Sequence, residues 1–377
     1  MSDIQKIGIV GGGQLAQMMT EPALKLGFEV TVIDPTPNCP AAQVGATQIH
    51  ADYKDAVAIR NLAEDTDVLT IDFEHVNTEV LAKLESEGFN IQPKPETVAM
   101  IQDKLQQCNF LKQNDLPLAD YRQLDTLDQA REVLLEFGGK MMLKKRHHSY
   151  DGKGNALINN IHELEAAWQE FAGSDLYAEK LVDFINELAV VLARDTSGNI
   201  TIYPVVETVH INNICHEVFL PAPISEDLKN MAKDLALTTA KHLKGAGVFA
   251  IEMFLTKNTK ILINEIAPRV HNSGHPTIEG SATSQFEQHI RAITGMKLGS
   301  TEMKASAAVM INILGNRNGT SNPENIDEAE KIPGISVHMY GKDEVKDDRK
   351  MGHITAVADT IEIAKDNAEK AHSIVKV

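Results

Sequence analysis

Apolar runs and helical stripes alternate along the first hundred positions. Residues 7–10 form an apolar run that ends at a glycine turn, and residues 15–26 repeat apolar side chains at helical spacing. Residues 29–33 and 68–73 are two further strand-like runs. This βαβ order predicts a parallel sheet covered by helices. Pro93-Lys94-Pro95 punctuates the chain, and a helical stretch beginning near Glu96 carries Lys104. A small α+β segment follows over 121–178: a helix at 127–137, a short strand at 140–145, a polar glycine-bearing loop and a helix at 161–171. Strands are then expected at 188–194 and 200–204, joined by the turn Ser197-Gly198-Asn199. Ser225 reads as the N-cap of a long helix over 225–244, with Glu226 and Asp227 in its first turn. Two strands at 248–255 and 260–266 come next. After residue 300 come strand-like runs at 307–314 and 336–340 and a helix at 363–375.

Composition narrows the classes. The 377 residues suffice for two or three domains, and 43% hydrophobic with 24% charged residues is the balance of a globular enzyme. No apolar run is long enough for a membrane span, and the N-terminus reads directly into a strand with no signal peptide. The net charge of −17 argues against a general nucleic-acid binder. Cys39, Cys108 and Cys215 are far apart and odd in number, which fits a reducing, cytoplasmic setting.

Candidate chemistry gathers around two carboxylates. The polar link 256–260 reads as a hairpin loop, and a loop centred between Asn258 and Thr259 sets Glu252 directly opposite Glu265. Like charges so placed call for a shared proton or a cation, and Mg²⁺ takes hard oxygen ligands of this kind. Solvent-facing carboxylates on a sheet edge are the bland alternative. Asn264-Glu265-Ile266-Ala267-Pro268-Arg269-Val270-His271-Asn272-Ser273-Gly274-His275 then packs amide, carboxylate, guanidinium and imidazole side chains just past a strand end. Arg269 suits a planar contact with phosphate or bicarbonate. Lys144 ends a strand before Ser149-Tyr150-Asp151-Gly152-Lys153-Gly154-Asn155, which reads either as a phosphate-cradling loop or as an ordinary hairpin turn. No Walker pattern is present. Finally, Gly11-Gly12-Gly13-Gln14-Leu15-Ala16 with Asp34 matches a dinucleotide fingerprint, so an NAD(P)-dependent dehydrogenase stays open as a rival.

Taken in order, these motifs, together with Phe73-Glu74-His75-Val76 and Arg349-Lys350-Met351-Gly352-His353, resemble the ATP-grasp superfamily. Within it they are most similar to the PurK-type N5-carboxyaminoimidazole ribonucleotide synthetases, over nearly the whole chain. The resemblance implies an α/β and α+β protein: an N-terminal Rossmann-like parallel-sheet domain over 1–100, an ATP-grasp domain over 101–300 with a lid subdomain at about 121–178, and a small C-terminal β-rich domain over 301–377. It implies ATP and Mg²⁺ as cofactors, 5-aminoimidazole ribonucleotide and bicarbonate as substrates, and a homodimer. Another ATP-grasp ligase with a different amine or carboxylate substrate is the alternative.

Carried onto this chain, the family places ATP on Lys104, Lys144, Tyr150, Asp151, Gly152, Lys153, Gly154, Asn264 and Glu265. Adenine falls to Glu179, Lys180, Leu181 and Val182, ribose to Glu187, and His210 closes the nucleotide pocket. Mg²⁺ falls to Glu252 and Glu265. The ribonucleotide meets Gln14, Leu15, Glu74, Tyr150, Asp151, His271, Asn272 and Ser273, with its phosphate on Lys342 and Arg349. Arg269, His271 and Asp151 take the catalytic roles. The chain departs from the family pattern with His148-Ser149 in place of two glycines, Asn155 for Gln, Ala16-Gln17 for Gly-Arg and Asp348 for glycine.

Overall fold

Four parallel strands form the first sheet: β1 (Lys6–Val10), β2 (Glu29–Ile33), β3 (Thr47–Ile49) and β4 (Val68–Ile71), in the order β3-β2-β1-β4. They belong to a computed structural model that describes residues 4–147 and 154–377. Ile7, Ile9 and Val10 are all fully buried, because side chains on both faces of this sheet are covered. The helix Gln14–Lys25 follows the glycine turn and buries Ala16, Met19 and Ala23. The expected helix near residue 96 is two, Pro95–Gln102 and Lys104–Gln113, broken at Asp103. Asp103 leaves the helical conformation and its carboxylate accepts the N–H groups of Leu105 and Gln106. Lys104 is therefore the first residue of a helix.

A second sheet holds β5 (Tyr121–Leu124), β6 (Met141–Lys145), β7 (Asn155–Ile158) and β8 (Leu176–Lys180), in the order β5-β8-β6-β7. The helices Leu127–Glu136 and Ile161–Glu170 share its core with Leu134, Met141, Leu143 and Leu164.

The third sheet has nine strands and carries most of the candidate chemistry. It contains β9 (Phe184–Arg194), β10 (Ile200–Ile202), β11 (Val206–Ile211), β12 (Ile214–Leu220), β13 (Gly247–Thr256), β14 (Ile261–Ala267) and β15 (Ala307–Leu314). Past β15, the short strands β16 (Gly319–Thr320) and β18 (Glu344–Val345) pair with each other, while β17 (Ile335–Met339) and β19 (Lys350–Ala358) rejoin the sheet. Its order is β14-β13-β9-β11-β12-β15-β19-β17, with β10 on β9. Hydrogen bonding thus runs unbroken from strands before residue 300 to strands after it. The helix Glu226–His242 starts at Ser225, whose hydroxyl accepts the N–H of Leu228.

The hairpin of β13 and β14 reaches the expected pairing by a different route. Beside the turn Leu255 lies opposite Ile261 and Met253 opposite Ile263, one residue short of the expected register. The register then shifts, Asn264 is passed over, and Glu252 faces Glu265. The bulge adds the residue that brings the two carboxylates to the same face.

Candidate active site

Each of the facing carboxylates has its own partner. Lys104 Nζ lies 2.9 Å from Glu265 Oε2, and His271 Nε2 lies 3.0 Å from Glu252 Oε1. The two carboxylates share no proton, since each is met from outside the hairpin, Glu265 by the Lys104 ammonium and Glu252 by the His271 ring. Burial works to raise the Glu252 carboxyl, but the His271 hydrogen bond and nearby cations bring it down to about 2. Burial likewise opposes the charge on Lys104, and Glu265, Glu74 and Glu252 together hold its pKa above the ordinary value. Lys104, placed at a helix start by the Asp103 cap, so pairs with Glu265 within the field of Glu74 and Glu252.

Arg269, just past β14, pairs through Nε with Glu74 Oε2 at 2.6 Å. Burial disfavours the Glu74 carboxylate, yet the Arg269 charge and hydrogen bond hold it well below the usual carboxylate range. This pair ties the end of β4 to the end of β14. His271 is fixed just as firmly. The Ser273 N–H points at His271 Nδ1 at 3.3 Å and the Ser273 hydroxyl lies 2.8 Å from it. A backbone N–H can only donate, so Nδ1 accepts and the ring proton sits on Nε2, facing Glu252. Gln285 grips the His271 backbone from both sides: its Oε1 accepts the His271 N–H, and its Nε2 donates to the His271 carbonyl. The Asn272 amide nitrogen is buried without a hydrogen-bond partner among the described residues.

A second group lies around β6, β8 and β9. Lys144 Nζ donates to Glu179 Oε2 at 2.5 Å, and Cys108 lies beside Glu179 Oε1 at 3.8 Å. Burial first, then the Glu179 charge, pushes the Cys108 thiol up, so it stays protonated. The Lys180 N–H donates to the Asp120 carbonyl, while Leu181 and Val182 lie in the connection to β9, with Leu181 exposed. Glu187 on β9 and His210 on β11 pair with each other at 3.2 Å. Burial lowers the His210 pKa less than the Glu187 hydrogen bond and charge raise it. Of the glycine loop, Gly154 is described, with φ +86° and its carbonyl accepting the Lys145 N–H. Tyr150, Asp151, Gly152 and Lys153, with His148 and Ser149, lie outside the described residues.

Two expected residues stand in the connections on either side of β18, Lys342 before it and Arg349 after it. Lys342 Nζ donates to the Lys350 carbonyl at 2.6 Å, and burial, with Arg349 and Lys350 nearby, lowers its pKa to about 7. Arg349 donates to the Glu344 carbonyl. Asp348 adopts φ +64°, which explains why glycine suits this position and why aspartate, tolerant of left-handed backbone, can replace it.

The N-terminal turn shows what became of the dinucleotide fingerprint. Its N–H groups are already spoken for: Gly13 donates to Asp72 Oδ2 at 2.9 Å and Gly12 to Asp34 Oδ2 at 3.1 Å. A Cβ on Gly11 would sit 1.7 Å from Asp72 Oδ1. Carboxylates of the protein occupy the place where a dinucleotide phosphate would meet the helix start. Gln14 and Leu15 open that helix and are partly exposed beside it.

Three family models cover the chain in sequence: a ribonucleotide synthetase preATP-grasp domain at 4–102, an ATP-grasp domain at 109–286, and a phosphoribosylaminoimidazole carboxylase C-terminal domain at 308–367. Among solved structures, N5-carboxyaminoimidazole ribonucleotide synthetase from Thermotoga maritima is 44% identical with a TM-score of 0.90, covering 99% of both chains. The chain belongs to the N5-carboxyaminoimidazole ribonucleotide synthase family of ATP-grasp proteins. The synthase from Aspergillus clavatus, in complex with ADP and 5-aminoimidazole ribonucleotide, is 34% identical with a TM-score of 0.91, covering 99% of both chains. The chloroplastic phosphoribosylaminoimidazole carboxylase of Vigna aconitifolia is 41% identical over 367 residues, 96% of this chain. This chain spans only 65% of that relative's length.

Seen as a member of this synthase family, the site includes residues that sequence reasoning passed over. Asp103 and its partner Arg146, Gln285 and Asp72 all position expected residues. Asp103 was legible as an N-cap before Lys104, but nothing local marks Gln285. Among the described residues no helix is long and apolar enough to cross a membrane.

Asp72 also makes a pH prediction. Burial raises its pKa to about 7, against about 3.9 in an unfolded chain. Between those values the native state binds more protons than the unfolded state, so this group's contribution falls as pH rises. Asp72→Asn is expected to flatten the loss of thermal stability between pH 5 and pH 8. Equal slopes for the variant and the parent in melting curves would refute this assignment.

Proposed function

We propose that this chain uses ATP and bicarbonate to carboxylate the exocyclic amine of 5-aminoimidazole ribonucleotide, in purine biosynthesis. The products are N5-carboxyaminoimidazole ribonucleotide, ADP and phosphate. The observation that carries the reading is the convergence of Lys104, Glu252, Glu265, Arg269 and His271 at one end of the β13–β14 hairpin, in a chain that belongs to this synthase family. In this reading a bicarbonate oxygen attacks the γ-phosphorus, ADP leaves, and carboxyphosphate forms. The amine nitrogen then bonds the carboxyl carbon and loses a proton as the carbon–oxygen bond to phosphate breaks.

The donor set fits Mg²⁺. Glu252 and Glu265 are opposed hard-oxygen ligands with Cβ atoms about 4.5–5.5 Å apart, and Asn264 is the bulge residue next to Glu265. When bound, Mg²⁺ would neutralise phosphate charge. Lys104 and Lys144 are the cations that meet phosphates, and each now rests on a carboxylate it can leave for a stronger anion. Glu179 to Val182 take adenine, and Glu187 takes ribose beside His210. Arg269 and His271 orient the carboxyphosphate: Arg269 supplies fixed positive charge, and His271 presents an N–H held by Ser273 and Gln285. Gln14, Leu15, Glu74, Asn272 and Ser273 line the ribonucleotide side, with Lys342 and Arg349 on its phosphate. Tyr150, Asp151, Gly152, Lys153 and Gly154 are assigned to cover the phosphates by resemblance, with Asp151 catalytic.

In this reading the chain divides near residues 100 and 300, and the nucleotide groups fall in the middle segment. Three buried free thiols suit the reducing cytoplasm. The assembly is read as a homodimer from the resemblance.

Phosphate release from ATP in the presence of bicarbonate, with and without 5-aminoimidazole ribonucleotide, tests the reading. Release is expected to rise with the ribonucleotide and to track carboxylated product. Absence of that stimulation would sink it. Stimulation by a different amine would keep the ATP-grasp chemistry and change the substrate.

A further inference from the structure

The carboxylating end and the phosphate end of the proposed site are joined by a buried line of side chains. From His271 it passes to Gln285, whose amide holds the His271 backbone and lies 3.4 Å from His275 Nδ1. The His275 ring packs on the His353 ring, with centroids 4.8 Å apart. His353 Nδ1 lies 2.9 Å from the Tyr340 hydroxyl. The Tyr340 ring in turn lies under Lys342 Nζ, at 5.5 Å. Gln285, His275, Tyr340 and His353 are all buried.

His353 is the centre of this line. Its ring also stacks on His338, 4.5 Å between centroids and nearly parallel, and His338 is anchored by Glu279 at 2.8 Å. Cross-strand pairing explains the placement, because β17 and β19 put His338 directly opposite His353. Two imidazoles therefore pack against the ring while Tyr340 holds its Nδ1. Its Nε2 is buried and has no hydrogen-bond partner among the described residues. A buried polar atom left unpaired costs stability, so an aliphatic or phenyl side chain would serve the core better. Retaining imidazole here points to a task other than packing.

We propose that His353 is a positioning residue that keeps Lys342 and His271 in register, so that a ribonucleotide held by its phosphate presents its amine to the carboxyphosphate. The proposal rests on the reading of Lys342 and His271 given above. Its consequence is coupling: a loosened line lets ATP be spent without carboxylation, because the His353–Tyr340 hydrogen bond lies apart from the Lys104–Glu265 pair at the nucleotide end.

The test uses the full chain and the variants His353→Phe, Tyr340→Phe and their combination. Each phenyl substitution keeps a ring and removes one partner of the same hydrogen bond. For each protein the KM for ribonucleotide, the KM for ATP and the ADP formed per carboxylated product are measured, with a melting curve. Each single variant is expected to raise the ribonucleotide KM by about 3- to 10-fold, the size of one hydrogen bond, and to raise the ADP-to-product ratio. The KM for ATP should not move, and the double variant should be no worse than the worse single one, since both remove one interaction. An unchanged ADP-to-product ratio, or additive effects, overturns the proposal, as does a lowered melting temperature with normal coupling. Should His353→Phe fail to fold, Tyr340→Phe, which loses a single oxygen, decides by the same ratio. A parent protein with no ribonucleotide-stimulated ADP release overturns the functional reading itself and this proposal with it, so the two failures are told apart.

Discussion

Glutamine in place of Glu265 is expected to lower ribonucleotide-stimulated phosphate release by about a hundred- to a thousandfold, the scale of a lost charge-stabilising group at a reacting phosphate. The fold should survive. The Glu265 side chain is 38% exposed, so an amide there is solvated and leaves no buried charge behind. Lys104 loses its closest partner but remains in the field of Glu74 and Glu252. Glutamine keeps the size of glutamate and one neutral oxygen, which is a poor ligand for a hard dication. Activity measured against Mg²⁺ concentration checks this. A variant with parental turnover and parental Mg²⁺ dependence would remove Glu265 from the metal site.

Arg269→Met carries the second large effect, on stability and turnover together. It leaves the largely buried Glu74 carboxylate without its closest partner, with the Lys104 charge still nearby, and breaking such a pair from one side costs up to about 3–5 kcal/mol. The change also takes away the fixed cation proposed to face carboxyphosphate. Combining Arg269→Met with Glu74→Gln should restore much of the stability and none of the activity, because the stranded charge is gone while the cation is still missing. The pH dependence has a definite sign. The folded Glu74 carboxyl is held below its unfolded value of about 4.3, so its stabilisation is present above that pH and is lost as pH falls. Arg269→Met should therefore cost most near neutrality and least in acid. Denaturant melts at several pH values would expose an error in this assignment as a penalty independent of pH.

Strand and helix positions were legible where burial on one face leaves a clean pattern. The strands Glu29–Ile33 and Ala307–Leu314 occur where the apolar runs placed them. Segments that bury polar residues were not legible. The helix Gln285–Ile293 turns Gln285, Gln288 and His289 into the interior, and the strand Lys350–Ala358 buries His353 and Thr355, so neither shows the expected alternation. The facing of Glu252 and Glu265 was read from hairpin symmetry, yet it depends on a bulge that sequence does not announce.

What the sequence determined by itself was the order of elements and the kind of chemistry. Local periodicity reports which residues are apolar along each segment, and the dense block from Asn264 to His275 carries its functional groups on neighbouring positions. What only the tertiary structure decided was which charges meet. Lys104 reaches Glu265, Arg269 reaches Glu74 and His353 reaches Tyr340 through long-range packing. It also decided that the glycine turn is closed by Asp72 rather than open to a dinucleotide. The physical reason is the same in each case. Periodicity records burial, whereas the pairing of buried charges depends on how separate elements approach one another.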